Sequence, residues 1–242
     1  MIDTKMKTLV VGASGATGRL LLLNRGQSVK IIVRTGSSLP DTIKNHKNIS
    51  IIYTSVLDLS DTEMTEHVKG FDAVASCLGH NMNFNGFYGQ PRRLVTDATR
   101  RLCRAIKANN PDKPVKFVLM NTTGNRNQDL SEQISFVQHC VIWLLRLLLP
   151  PHVDNEKAAD YLRIEVGQND RAIEWVAVRP DGLINNSEVS KYEIHRSPTR
   201  SAIFDAGTTS RINVGHFMAD LITNHETWIK WKGQMPVIYN RT

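Results

Sequence analysis

Cysteine is scarce in this sequence: three residues in 242, at positions 77, 103 and 140. An odd, scattered set builds no disulfide framework and points to a reducing compartment, the cytoplasm. No pair has Cys-x-x-Cys spacing and no His/Cys cluster has the spacing of zinc ligands, so no metal site is expected. Long hydrophobic runs are missing too. The longest, residues 141–149, is interrupted by Arg146 and reaches about half the length that a bilayer-spanning helix needs. The first residues carry no signal-peptide pattern. The formal net charge is +7 and aromatics are 7% of the chain. The basic residues are spread along it, with one local cluster at Arg92, Arg93, Arg100, Arg101, Arg104 and Lys107. No basic run interleaves with aromatics as single-strand binding requires, so a nucleic-acid partner is not expected. There is neither an internal repeat nor a low-complexity segment.

What is present suits one folded α/β domain: 41% hydrophobic and 22% charged residues over 242 positions. Residues 8–12 (Thr-Leu-Val-Val-Gly) form an apolar run with no polar alternation, the pattern of a strand covered on both faces of a parallel sheet. Further strands are expected at 29–33, 49–56, 73–77, 116–120, 174–178 and 235–239. Between them lie helical patterns: a short one after the first strand, ending at Gly26 as C-cap, then 60–68, 91–108, 131–149, 154–166 and 213–222. Ser60 and Glu63 have capping-box spacing. Pro91 is expected in the first helical turn, Pro150-Pro151 as a stop, and Asp154 and Asn213 as N-caps. Strands alternating with helices imply a Rossmann-type, doubly wound parallel sheet formed by residues 1–242, with 181–212 as a substrate-side excursion. The helix after the first strand has about ten residues where about thirteen would span a six-residue strand, so unusual packing is expected there.

The most informative motif is Gly12-Ala13-Ser14-Gly15-Ala16-Thr17-Gly18. It follows a strand and opens a helix, the context in which such glycines cradle a pyrophosphate: Gly12 for the tight turn, Gly15 for close approach, Gly18 for helix–sheet packing. Free N–H groups at the helix start favour the anion. At the end of the second strand, an NAD site would place an acid to hold the ribose 2′-OH. Arg34 and Thr35 stand here instead, and no acid occurs between Gly26 and Asp41. A guanidinium suits a 2′-phosphate, so the expected cofactor is NADP(H). Asp58 and Leu59 are candidate adenine contacts. Cys77, Leu78 and Gly79, after the fourth strand, should line the crevice. His80 and the Asn-rich stretch 81–85 should reach its mouth and meet substrate.

The glycine motif, Val33-Arg34 and Val178-Arg179-Pro180 resemble the atypical short-chain dehydrogenase/reductases, above all the NmrA-like and biliverdin/flavin-reductase-like NAD(P)H-binding proteins. The resemblance spans about residues 6–240. It implies a Rossmann fold and an NADPH-dependent reduction of a small carbonyl, quinone or flavin-like acceptor, or else a noncatalytic redox sensor acting through a protein partner. One departure is plain: none of the five tyrosines has a lysine four residues on, so the Tyr-x-x-x-Lys pair of ordinary short-chain dehydrogenases is missing. The resemblance places Lys157 near the nicotinamide ribose and suggests Thr122, His152 and Tyr161 for orientation or proton transfer, with Pro180 beside the cofactor. Lys157 and Tyr161, four apart, share a helix face. Residues 131–149 carry an apolar stripe (Ile134, Val137, Val141, Leu144, Leu145, Leu148) that suits burial against the core or a lid, a dimer interface, or contact with a membrane surface. A monomer and a homodimer are both compatible with the sequence.

Overall fold

The computed structural model describes residues 6–22, 28–80, 84–130, 132 and 136–241. Among them, five parallel strands follow the apolar runs of the sequence: β1 (Lys7–Val11), β2 (Ser28–Val33), β3 (Ile49–Tyr53), β4 (Ala73–Ser76) and β5 (Val115–Met120). β6 (Ile173–Pro180) extends the sheet beyond β5. Then come β7 (Gly182–Ile184), β8 (Tyr192–His195), β9 (Thr208–Ser210) and β10 (Val237–Asn240). The main sheet has the order β3-β2-β1-β4-β5-β6-β10-β8. Its last member, β8, runs antiparallel to β10. β7 and β9 pair as a separate small ribbon.

Side chains alternate across this sheet, and each face has its own core. Leu9, Val11, Phe117, Leu119, Trp175 and Ala177 point to one face. Val10, Val118, Val176 and Val178 point to the other. The first face is covered by α3 (Asp61–Val68), α5 (Leu94–Ala108) and α7 (Pro150–Asp160), which continues as a π-helical turn over Tyr161–Val166. The second is covered by α8 (Arg211–Thr223) and α9 (His225–Trp231). Short helices α1 (Gly18–Leu22), α2 (Asp41–Lys44) and α4 (Phe84–Tyr88) and the longer α6 (Phe136–Leu148) complete the chain.

The capping box forms as expected. Ser60 Oγ accepts from the Glu63 N–H at 3.2 Å, and the Glu63 carboxylate accepts from the Ser60 N–H at 2.7 Å. Other expected boundaries move. The N-cap of α8 is Ser210, and Asn213 lies inside the first turn. Pro150 and Pro151 open α7 rather than only ending the helix before it, because a proline lacks an N–H that the first turn does not use. Asp154 is therefore interior to α7, and its carboxylate caps a different helix. It accepts the N–H groups of Val95 (2.8 Å) and Thr96 (2.9 Å) at the start of α5. That helix begins at Leu94, three residues beyond Pro91. The expected cap at Gly26 lies outside the described residues.

The short α1 does pack unusually. A Cβ on Gly215 of α8 would lie 3.1 Å from the Leu20 carbonyl carbon and the Leu21 nitrogen, so the two helices meet nearly backbone to backbone. Residues 181–212, expected as a substrate-side excursion, contain β7, β8 and β9. Their pairing partners lie far along the chain or are short, so local periodicity gave little sign of them. α6 is the clearest departure from a buried helix. Ile142 is buried, whereas Val137, Leu144 and Leu148 of the apolar stripe are exposed, as are Trp143 and Leu147. An Arg146–Glu156 ion pair at 2.9 Å joins α6 to α7. Among the described residues, no helix is long and apolar enough to cross a membrane.

Candidate functional site

The chain runs outward from β1 to β2 and β3, then returns to place β4 on β1's other side. This reversal opens a crevice at the carboxyl ends of β1 and β4, where doubly wound sheets hold ligands. A cavity of about 480 Å³ lies there. Its floor is the glycine turn, lined by Gly12, Ser14, Gly15, Ala16 and Thr17. One wall is the end of β2 with Arg34, together with 54–56 beyond β3. The other is Cys77, Leu78, Gly79 and His80 after β4, met by Asn121 after β5 and Asn155 of α7.

The glycines have separate physical reasons. Gly12 has φ +76°, and a Cβ there would lie 2.5 Å from the Cys77 carbonyl carbon and oxygen. Gly15 donates its N–H to the Gly12 carbonyl at 3.1 Å and lines the cavity. A Cβ on Gly18 would run into that same carbonyl, so Gly18 seats the helix start on the strand end, outside the lining. The cradle is thus a place where missing Cβ atoms leave backbone open to a ligand, which is the fit a pyrophosphate needs. Arg34 is exposed. Among the described residues it has no ion-pair partner. Thr35 is exposed, with its hydroxyl 3.4 Å from the Tyr53 carbonyl, and stands outside the lining.

Several residues singled out from the sequence lie elsewhere. β3 ends at Tyr53 rather than 56, so residues 54–56 form the wall, while Asp58 faces solvent and Leu59 joins the core. Lys157 is exposed and outside the lining. On α7, Asp154 and Ala158 are buried and Asn155 lines the cavity. Tyr161 packs on the core beneath Arg100, 5.5 Å from guanidinium to ring, and burial pushes its phenol pKa up. His152 sits 3.4 Å from the Glu156 carboxylate, beside Gly124. The Thr122 hydroxyl accepts from the Gly124 N–H at 3.3 Å. Neither lines the cavity. Pro180 is buried in β6, where its carbonyl accepts from Thr123. Its neighbour Arg179 is wholly buried and pairs with Glu132 at 2.7 Å, so this part of the motif ties loops together.

The structure brings in a group that the sequence did not pair. His80 Nε2 lies 2.8 Å from Asp154 Oδ2, with both side chains nearly inaccessible (7% and 1%). Burial alone would raise the Asp154 pKa. Hydrogen bonds from His80, Thr96 and Val95 overcome this and hold the carboxyl below its usual range. The two residues are 74 positions apart, and no local pattern links them. Cys77, also in the wall, has its thiol pushed up by burial to about 12 and stays protonated.

Comparison with known proteins agrees with this geometry. Residues 12–225 match the NAD(P)H-binding family. No curated protein sequence matches the chain significantly. Among solved structures, the oxidoreductase ylbE from Lactococcus lactis superposes with a TM-score of 0.68 at 17% identity, covering 98% of this chain and 92% of that one. A short-chain dehydrogenase/reductase from Veillonella parvula in complex with NADP gives 0.68 at 15% identity, covering 97% and 94%. A candidate NADH-flavin reductase from Streptococcus pneumoniae gives 0.62 at 16% identity, covering 98% and 100%. These likenesses bear on the fold. The matched span takes in the glycine turn, Arg34 and every strand from β2 to β9, and on that ground the chain belongs to the NAD(P)H-binding family of Rossmann-fold proteins.

Proposed function

We propose that this protein is an NADPH-dependent reductase of a small carbonyl, quinone or flavin-like acceptor. The observation that carries the reading is that the glycine turn, Arg34 and the end of β4 line one cavity at the topological switch point. Gly12 to Thr17 would hold the pyrophosphate, Arg34 the 2′-phosphate, and 77–79 with Asn121 and Asn155 the nicotinamide half. When bound, the dinucleotide supplies hydride. The chain's own task is to orient the acceptor and exclude water. The proposal does not rest on Lys157, Thr122, His152 or Tyr161, since none lines the cavity.

A second reading is a noncatalytic NADP(H) sensor of the NmrA-like kind. It is favoured by the outward Lys157, the packed Tyr161 and the apolar exposed surface of α6, which suits a protein partner. Calorimetric titration of NADPH and NADH against wild type and Arg34→Ala tests the cofactor, and turnover of aldehyde, quinone and flavin probes with NADPH separates the readings. A charge-assisted hydrogen bond contributes about 1.5–3 kcal/mol. With Arg34 exposed, the expected loss of NADPH affinity is therefore about tenfold, with NADH binding little changed. Equal affinities of wild type for the two cofactors would refute the NADP assignment. Tight NADPH binding with no turnover of any probe would favour the sensor.

A further inference from the structure

The proposed reduction needs a proton as well as a hydride, and the side chains that the sequence offered for it do not reach the cavity. His80 does. Its Nε2 is 2.8 Å from the buried Asp154 carboxylate, which is itself fixed by the Val95 and Thr96 N–H groups at the start of α5. The Thr96 hydroxyl donates to the Asp154 carbonyl at 2.9 Å, so carboxylate and backbone are both anchored. An ionised carboxylate only accepts. Nε2 therefore carries a hydrogen, and the ring's orientation is set. Nδ1 has no hydrogen-bond partner among the described residues, and it belongs to a ring that walls the cavity. A histidine held by a carboxylate on one nitrogen, with its residue in the cavity wall, is an arrangement that proton transfer uses.

We infer that His80, oriented by Asp154, is the proton donor to the acceptor, with Asp154 as its positioning residue. This rests on the reductase reading. For a carbonyl acceptor, NADPH supplies hydride to carbon and leaves as NADP⁺. The Nδ1–H bond of the imidazolium breaks, an O–H bond forms on the acceptor oxygen, and the imidazole takes a proton back from solvent. Asp154, from α7, is the charged group in contact with the ring among the described residues. It fixes the ring through Nε2. Cys77, in the same wall, is protonated and supplies no competing charge.

The test uses the full chain with 4-nitrobenzaldehyde and menadione as probes and His80→Asn, which leaves the Asp154 cap on α5 in place. The expected result is a fall in kcat for 4-nitrobenzaldehyde of about 10²–10⁴-fold, with the Kd for NADPH within about threefold of wild type. A readout independent of turnover is nitrogen NMR of the histidines without cofactor. It should show Nε2 protonated and Nδ1 bare in neutral His80, a preference that weakens in Asp154→Asn. Full activity of His80→Asn, or the opposite tautomer in wild type, overturns the inference alone. Failure of wild type to bind NADPH or to reduce either probe overturns the reductase reading, and the inference with it.

Discussion

The sharpest prediction concerns two glycines of one turn that should fail differently. In Gly12→Ala, the added methyl would lie 2.5 Å from the Cys77 carbonyl carbon and oxygen and 2.7 Å from the Leu78 nitrogen, where ordinary contact begins at 3.4 Å. The obstacle is backbone, so the strand ends must part by about 0.9 Å. The residue also sits at φ +76°, a left-handed conformation that costs an alanine about 1–2 kcal/mol. Overpacking of this kind adds about 1–3 kcal/mol. The total, about 2–5 kcal/mol, corresponds to a Tm lower by about 4–20 °C for a chain of this size. The same displacement moves residues 77–79, one wall of the cavity, so NADPH affinity should drop at least about tenfold. In Gly15→Ala the methyl meets only the Gly12 carbonyl at 3.2 Å, so Tm should change by less than about 4 °C. Its binding should still suffer, because the methyl stands on the cavity floor. Scanning calorimetry and NADPH titration of both variants check this. A Gly12→Ala protein with wild-type Tm and affinity would refute the close-approach argument. A Gly15→Ala protein that binds NADPH normally would refute the placement of the pyrophosphate.

Three further outcomes follow from the geometry. Glu132→Ala leaves the wholly buried Arg179 without its carboxylate, at a cost of about 3–5 kcal/mol, read as a lower midpoint in chemical denaturation; an unchanged midpoint would contradict the pairing. Because the Asp154 pKa is lowered in the fold, its bonds stabilise the protein fully above the unfolded carboxylate pKa of about 4. That stabilisation is lost as pH falls below this value through the folded one, so Asp154→Asn should flatten the acid limb of the stability curve; an equally steep limb would argue against it. Cys77 and Cys103 are held as thiols by burial, whereas Cys140 is exposed. Thiol titration at pH 8 should therefore count one fast group in the native protein and three after unfolding; two or more fast groups would count against the raised thiol pKa of Cys77.

The sequence by itself determined the parallel sheet, the glycine turn and the place of Arg34. Each of these is written in neighbouring residues: apolar runs such as Leu9-Val10-Val11, a turn whose glycines answer to backbone geometry, and a cation where a strand ends. The capping box at Ser60 was legible for the same reason, since donor and acceptor are three positions apart. Only the tertiary structure decided which side chains reach the cavity. Lys157 and Asn155 are two residues apart on one helix. Which of them turns inward depends on how Asp154 and Ala158 seat in the core, and local periodicity leaves this open. The edge strand β8 and the ribbon of β7 with β9 likewise exist through partners distant in the chain, not through their own short segments. The His80–Asp154 pair is the extreme case. It joins a loop after β4 to a helix 74 residues later, and the Asp154 carboxylate is held at that junction by the two N–H groups that the first turn of α5 leaves free.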